Sequence, residues 1–380
     1  MQLAEKIASV STAPYIAIDT EFMRERTYFP ILCLVQIAAG DIAFAIDPLA
    51  KNIDLTPLYN LLADEKVVKV FHSASQDIEL FYYLTGTTPK SVFDTQVAAE
   101  VLGYGESASY ASLVKKICKV EVDKSSRFTD WMRRPLSDAQ VEYALTDVTY
   151  LCHVYEKLSH DLQAKGREHW IEEEMADLLD PAEYENKSED AWRRIRTRGG
   201  SQKFLRAVKA IAGWREQKAK EENVPRQRIL RDEILLEVAA VDPKSVEDLK
   251  NMRRLQNMNV GGRLGEVLVG LLKEARDSDE VMDLKKEAPI HPSPALVELL
   301  KVVLKAQCEK HLVTQKLIAR SDDIDKISAL DEEILLHSNI KCMHGWRFDV
   351  FGKAALELKN GRLLLGAKKH KVILVPNPEA

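Results

Sequence analysis

Apolar and polar positions alternate in short runs through the first hundred residues. The sharpest run is Tyr15-Ile16-Ala17-Ile18-Asp19-Thr20-Glu21-Phe22. In an extended chain Ile16 and Ile18 fall on one side, and Asp19 and Glu21 fall together on the other. Residues 32–37 and 42–46 predict two more strands, with Gly40-Asp41 between them as a tight hairpin turn. Residues 67–72 and 91–93 predict a fourth and a fifth. Elsewhere the period lengthens to that of a helix, over 55–64, 73–84, 95–102, 109–117 and 137–158. Ser73 or Ser75 is a candidate N-cap. A three-strand meander followed by strands alternating with helices implies a mixed sheet flanked by helices.

From residue 191 the strand pattern fades. Helical spacing covers 202–220, 231–240, 245–251 and 261–275, interrupted by Val224-Pro225 and Asp242-Pro243. After a proline-rich joint at 289–294 it resumes over 295–312, 313–319, 322–330 and 346–359. Each block has a long first helix, two short ones and a glycine-preceded last helix, as a duplicated small domain would. The expected division is an α/β domain over 1–184, a basic linker over 185–200, and all-α domains over 201–283 and 284–380. Residues 362–375, leucine-rich and basic, fit neither period.

Composition narrows the reading. At 380 residues and 46% hydrophobic, the chain can build two or three cores. No apolar run reaches the roughly 18–20 residues of a membrane span, and residues 1–12 lack the apolar centre of a signal peptide. Five scattered cysteines without a Cys-x-x-Cys argue against a zinc knuckle or a disulfide framework. The expected compartment is the cytoplasm. The net charge of −5 hides an asymmetry: residues 1–184 carry 17 basic and 29 acidic side chains, and the remainder 37 and 30. An acidic front and a basic back fit metal chemistry in front and a polyanion held behind.

Paired carboxylates at a strand end are costly unless cations lie between them. Two further acidic positions join them. Asp77 sits on the helix after the fourth strand. Tyr143 and Asp147, four residues apart, share one face of a later helix. Phosphodiester hydrolysis needs an activated water and charge stabilisation at both the attacking and the leaving oxygen, which two divalent ions supply. Carboxylates suit Mg²⁺ or Mn²⁺, and the lack of clustered His and Cys disfavours zinc. Tyr143 beside such ions could orient the water or take its proton.

These residues carry a resemblance. Asp19-Thr20-Glu21-Phe22, the 72–81 stretch with Asp77, and Tyr143-x-x-x-Asp147 resemble the three exonuclease motifs of the DEDD superfamily, tyrosine subclass. Thr129-Asp130-Trp131-Met132-Arg133-Arg134-Pro135-Leu136, running on through Gln140 to Leu151, is similar to the third motif of the ribonuclease D family. Phe93-Asp94-Thr95-Gln96 is similar to its intermediate segment. The two helical blocks resemble helicase-and-RNase-D C-terminal (HRDC) domains. The resemblance implies a ribonuclease-H-like fold and 3′→5′ hydrolysis releasing 5′-monophosphates. It implies Asp19, Glu21, Asp77 and Asp147 as ligands of two Mg²⁺ or Mn²⁺ ions, and Tyr143 as the residue that positions the attacking water. It also implies RNA with a free 3′ end as substrate, tRNA precursors above all; no obligate protein partner is evident in the sequence.

Other residues carry alternatives. Phe22 could wedge a terminal base or pack in the core. Trp131, Arg133 and Arg134 could hold phosphate and base or pack their loop. Asp94 reads as an N-cap rather than a fifth ligand, and His72 as a hydrogen-bonded core residue. The run 193–198 with Lys203 is the best basic patch for RNA. The rival readings are a DNA exonuclease with the same acids and a catalytically silent nucleic-acid-binding protein.

Overall fold

The computed structural model describes residues 2–123, 129–197, 199–255, 260–282 and 290–378. Arg198 of the basic run and Pro289 of the proline-rich joint lie outside the described residues. Helix α1 (Gln2–Ala8) precedes strands β1 (Tyr15–Met23), β2 (Ile31–Ala39) and β3 (Ile42–Ile46). Then come α2 (Thr56–Ala63), β4 (Val68–Phe71), α3 (Ser75–Thr85), β5 (Val92–Asp94), α4 (Thr95–Leu102), α5 (Tyr110–Ile117), α6 (Asp138–Lys165) and α7 (Glu168–Leu178).

The five strands form the expected mixed sheet, in the order β3-β2-β1-β4-β5. β2 and β3 are antiparallel and turn at Gly40, whose φ of +54° suits glycine. β1, β4 and β5 are parallel, with Ala17 opposite Val70 and Val70 opposite Phe93. Ile16, Ala17 and Ile18 are all fully buried, as befits a central strand covered on both faces. Ala17 and Val70 pack against Val148, Leu151 and Cys152 of α6. Helix α6 starts at a capping box made by Ser137 and Gln140, and stops at Gly166 in the left-handed region.

Asp94 is a cap, and it serves two helices. Its carboxylate accepts from Gln96 N at 2.8 Å at the start of α4. It also accepts from Ser73 N and Ala74 N, at 3.0 and 2.8 Å, just before α3. Neither Ser73 nor Ser75 caps α3; the residue at its N-cap position is Ala74, with no side-chain bond. A neighbouring strand supplies the acceptor instead.

The first helical block runs α8 (Gln202–Glu222), α9 (Arg226–Ile229), α10 (Asp232–Val241), α11 (Val246–Lys250), a 3₁₀ turn (Arg253–Leu255) and α12 (Arg263–Asp277). The second runs α13 (Pro294–His311), α14 (Gln315–Ile318), α15 (Ser321–Ala329), α16 (Glu332–Leu336), a 3₁₀ turn (Lys341–Met343), and α17 (Gly345–Arg347), joined through a π turn (Phe348–Gly352) to α18 (Lys353–Lys359). The two blocks repeat one order of elements. The stretch that fitted neither period is a hairpin, β6 (Leu363–Lys368) and β7 (Lys371–Pro376).

The chain divides into two compact units. One comprises Met1–Glu21, Cys33–Asp180 and Glu287–Ala380; the other comprises Phe22–Leu32 and Pro181–Lys286. In the first, the second helical block is fastened to α7. Trp346 stacks on Trp170, with centroids 4.1 Å apart and planes 11° apart. Arg347 pairs with Glu174 out of water, 8% and 10% exposed, and its Nε donates to Leu317 O at 2.6 Å.

The second unit has its own core, in which Leu205, Val208 and Ile211 of α8 meet Leu235, Leu249 and Leu268. Glu216, 1% exposed, lies within it as the hub of an ion-pair network. It accepts from Tyr28 Oη and pairs with Arg226 and, at 3.3 Å, with Arg194. Asn223 Oδ1 accepts from the backbone N–H of both Tyr28 and Phe29, each at 3.1 Å. Within the expected basic patch, Arg193 pairs with Asp190 and Lys203 with Asp242.

Candidate active site

Strand parity builds the site. Ala17, Asp19 and Glu21 leave β1 on one face, and Ala17 meets α6 at Val148 and Leu151. One turn earlier on α6 lie Asp147 and Tyr143, brought to the carboxylates of β1 by the same packing. Carboxylate oxygens of Asp19, Glu21 and Asp147 come within 4.8 Å of one another. Burial, reinforced by Asp77, Asp147 and Glu21, pushes the Asp19 carboxyl well above its ordinary range.

Asp77 stands beside this trio rather than in it. It is 7% exposed and accepts from the hydroxyl of Thr20, which leaves the other face of β1. Burial raises its carboxyl to about 7, against the opposing hydrogen bond from Thr20. Three half-buried carboxylates converge here. That hard-oxygen donor set fits a divalent cation.

Tyr143 is half-buried, and burial followed by the charges of Asp147 and Glu21 holds its phenol above the ordinary range. It stays protonated and is hydrogen-bonded to Asp147. Trp131, 6% exposed, lies behind it, ring centroids 6.2 Å apart. Arg134 is fully engaged within the protein. It grips Asp47 through Nε at 2.8 Å and Nη2 at 2.7 Å, and it donates to Cys33 O, Trp131 O and Arg133 O. All five guanidinium N–H groups have acceptors, so the arginine holds the 131–134 turn in place. Arg133 is exposed, and Phe22 is half-buried on β1 directly after Glu21.

Two supporting residues, Thr20 and Tyr110, were not in the expected set, and His72 is hydrogen-bonded as expected. Thr20 holds Asp77. Tyr110 donates to Thr146 O at 3.1 Å, fixing the backbone one residue before Asp147. His72, its pKa lowered by burial, bonds Thr95 Oγ1 at 3.0 Å and lies edge-on to Tyr110. Thr20 could have been found as the residue between two predicted ligands; Tyr110 lies outside every motif.

Comparison with known proteins agrees with this geometry. Residues 1–163 match a 3'-5' exonuclease family, and residues 204–272 match the HRDC domain family. Ribonuclease D of Granulibacter bethesdensis is 45% identical over 377 residues, covering 98% of this chain and 94% of the relative. Ribonuclease D of Gluconacetobacter diazotrophicus is 46% identical over 367 residues, covering 96% and 92%. Among solved structures, RNase D of Escherichia coli, an exoribonuclease involved in structured RNA processing, superposes with a TM-score of 0.76 at 29% identity. That match covers 94% of this chain and 96% of the other. The acid cluster, the HRDC match and near-full-length identity above 40% place the chain in the ribonuclease D family of hydrolytic 3′→5′ exoribonucleases.

Proposed function

We propose that this chain trims structured RNA from a free 3′ end, tRNA precursors foremost, releasing nucleoside 5′-monophosphates in the cytoplasm. The observation that carries the reading is the convergence of Asp19, Glu21 and Asp147 within 4.8 Å, with Tyr143 on the same face of α6 as Asp147. Two Mg²⁺ or Mn²⁺ ions, held by Asp19, Glu21, Asp77 and Asp147, would activate water and stabilise charge in an in-line displacement. The phenol oxygen of Tyr143, its proton engaged by Asp147, would accept from the attacking water and orient it. Asp77, tied to Thr20 and close enough to Asp19 to raise its carboxyl, would complete the acid set. Phe22, Trp131 and Arg133 are the proposed contacts to the terminal nucleotides, with Arg134 bracing the turn that carries two of them. The domain division follows the sequence: a nuclease over 1–184, a linker over 185–200, and HRDC-like domains over 201–283 and 284–380. The repeated element order supports the second of these.

A time course on 3′-labelled and 5′-labelled RNA, with Mg²⁺, Mn²⁺ or EDTA, tests polarity, product and metal need together. Loss of the 3′ label as mononucleotide, only with divalent metal, is expected. Asp19→Ala should lower the rate by about three orders of magnitude or more with unchanged circular dichroism. A DNA strand of equal sequence degraded faster than RNA would sink the reading.

A further inference from the structure

The C-terminal hairpin breaks local rules of β structure at one place, its tip. Lys368 and Lys371 are cross-strand partners that close the turn. Like charges placed directly opposite destabilise a strand pair. The two turn residues, Lys369 and His370, have φ of +49° and +62°. A two-residue turn with both φ positive is the type I′ hairpin, which Asn-Gly forms at far lower cost. A non-glycine residue in this region costs about 1–2 kcal/mol. Lys368 to Lys371 are therefore four successive cationic or titratable side chains, all exposed, on a turn that each of them disfavours.

The base of the hairpin is firmly held. Asn377 N donates to Arg362 O at 2.9 Å, and Asn377 Nδ2 donates to Gly361 O at 2.7 Å. Lys359 Nζ donates to Ile327 O at 2.9 Å and also to Leu330 O. β6 packs on α18 and β7 on α13. The result is a short rigid arm with its charge at the far end. Sites where local preferences fail inside a consistent fold are where function is to be sought.

We infer that Lys368, Lys369, His370 and Lys371 form a phosphate-contacting tip that grips the backbone of the RNA substrate. Charge complementarity selects this occupant, because successive cations on a narrow turn match phosphates spaced along a strand. The contact carries no sequence information, so it adds affinity for any structured RNA of sufficient length. The inference rests on the exoribonuclease reading for its choice of RNA.

Two variants of the full-length protein test it. Lys368→Ala/Lys369→Ala/Lys371→Ala removes the charge. Lys369→Asn/His370→Gly installs the preferred turn and keeps the hairpin. Binding to a tRNA-sized RNA with a 3′ extension is measured in EDTA across a salt series, and hydrolysis of a three-nucleotide RNA is measured with Mg²⁺. For the triple variant we expect affinity to fall about tenfold to a hundredfold near 0.1 M salt. The slope of log K against log salt should shrink by about 2. The Asn-Gly variant should lose affinity less while melting at a higher temperature. Trinucleotide hydrolysis should stay at the parent rate in both. Unchanged binding and slope in both variants, with RNA hydrolysis intact, would overturn the tip and leave the enzyme reading standing. Loss of a dimer on sedimentation, with RNA binding unaltered, would also overturn it, assigning the hairpin to self-pairing. Tip-dependent RNA binding by a parent protein that hydrolyses no RNA would support the tip and sink the enzyme reading.

Discussion

The two helical blocks repeat one order of elements, yet they belong to different compact units. The second joins the unit that holds the acid cluster; the first forms a unit with residues 22–32. The difference is concentrated at the start of the closing helix. In the second block Gly345-Trp346-Arg347 opens that helix. Trp346 and Arg347 are buried against α7, and a side chain at Gly345 would collide with the carboxylate of Glu173. In the first block Gly262-Arg263-Leu264 stands at the corresponding point, and Arg263 is exposed. A repeated order of helices can thus be given two attachments by a few side chains.

The largest way to break the contrast is Arg347→Ala. It leaves Glu174 buried without its cation, which should cost about 3–5 kcal/mol and appear as a lower midpoint in denaturant. If the midpoint does not move, the docking described here contributes nothing to stability. Glu216→Gln attacks the other unit. Losing a buried charged acceptor shared by Tyr28 and Arg226 should cost about 1–3 kcal/mol, and trypsin should then cut faster after Arg24 or Arg26.

Acidity separates the units in opposite directions. In metal-free protein Asp19 and Asp77 hold protons more tightly than in the unfolded chain, Asp77 up to about 7. Their contribution is intact below about pH 4 and is lost as pH rises through 7. Divalent metal should restore it, so the melting temperature gained on adding Mg²⁺ should grow from pH 6 to pH 8. In the other unit burial opposes Asp242, but Lys203, Lys244 and Arg276 pull it down to about 2. That stability is present above about pH 4 and lost as pH falls towards 2. Melting profiles in which both units respond with the same sign would contradict this division. The smallest effect is expected for Arg263→Ala, within about 0.5 kcal/mol, against the large cost of its counterpart Arg347.

What could be read from the sequence had short-range causes. Strand parity put Asp19 and Glu21 on one face, and helical spacing put Tyr143 beside Asp147. Their convergence was predictable because a buried central strand must be covered by an apolar helix face. The parts that escaped depend on partners distant in the chain. Helix α7 was not anticipated, because Trp170, Ile171 and Met175 are its buried residues and Glu172-Glu173-Glu174 interrupt their pattern. The terminal hairpin gave no turn signal, since Lys-His stands where Asn-Gly would have announced it. For Arg134 the sequence left phosphate contact and loop packing both open; its commitment to Asp47, 87 positions away, shows only in three dimensions.

The stacked Trp346 and the buried Arg347 bear on the order in which the chain is made. The unit carrying Asp19, Glu21 and Asp147 is discontinuous, and its third segment is made after the two that carry the acids. Domains fold as units while the N-terminal parts emerge first. The acids, however, belong to a unit that is completed only when the closing helix has left the ribosome. A nascent chain stalled before Trp346 leaves Trp170 and Glu174 without the partners that cover them in the finished unit.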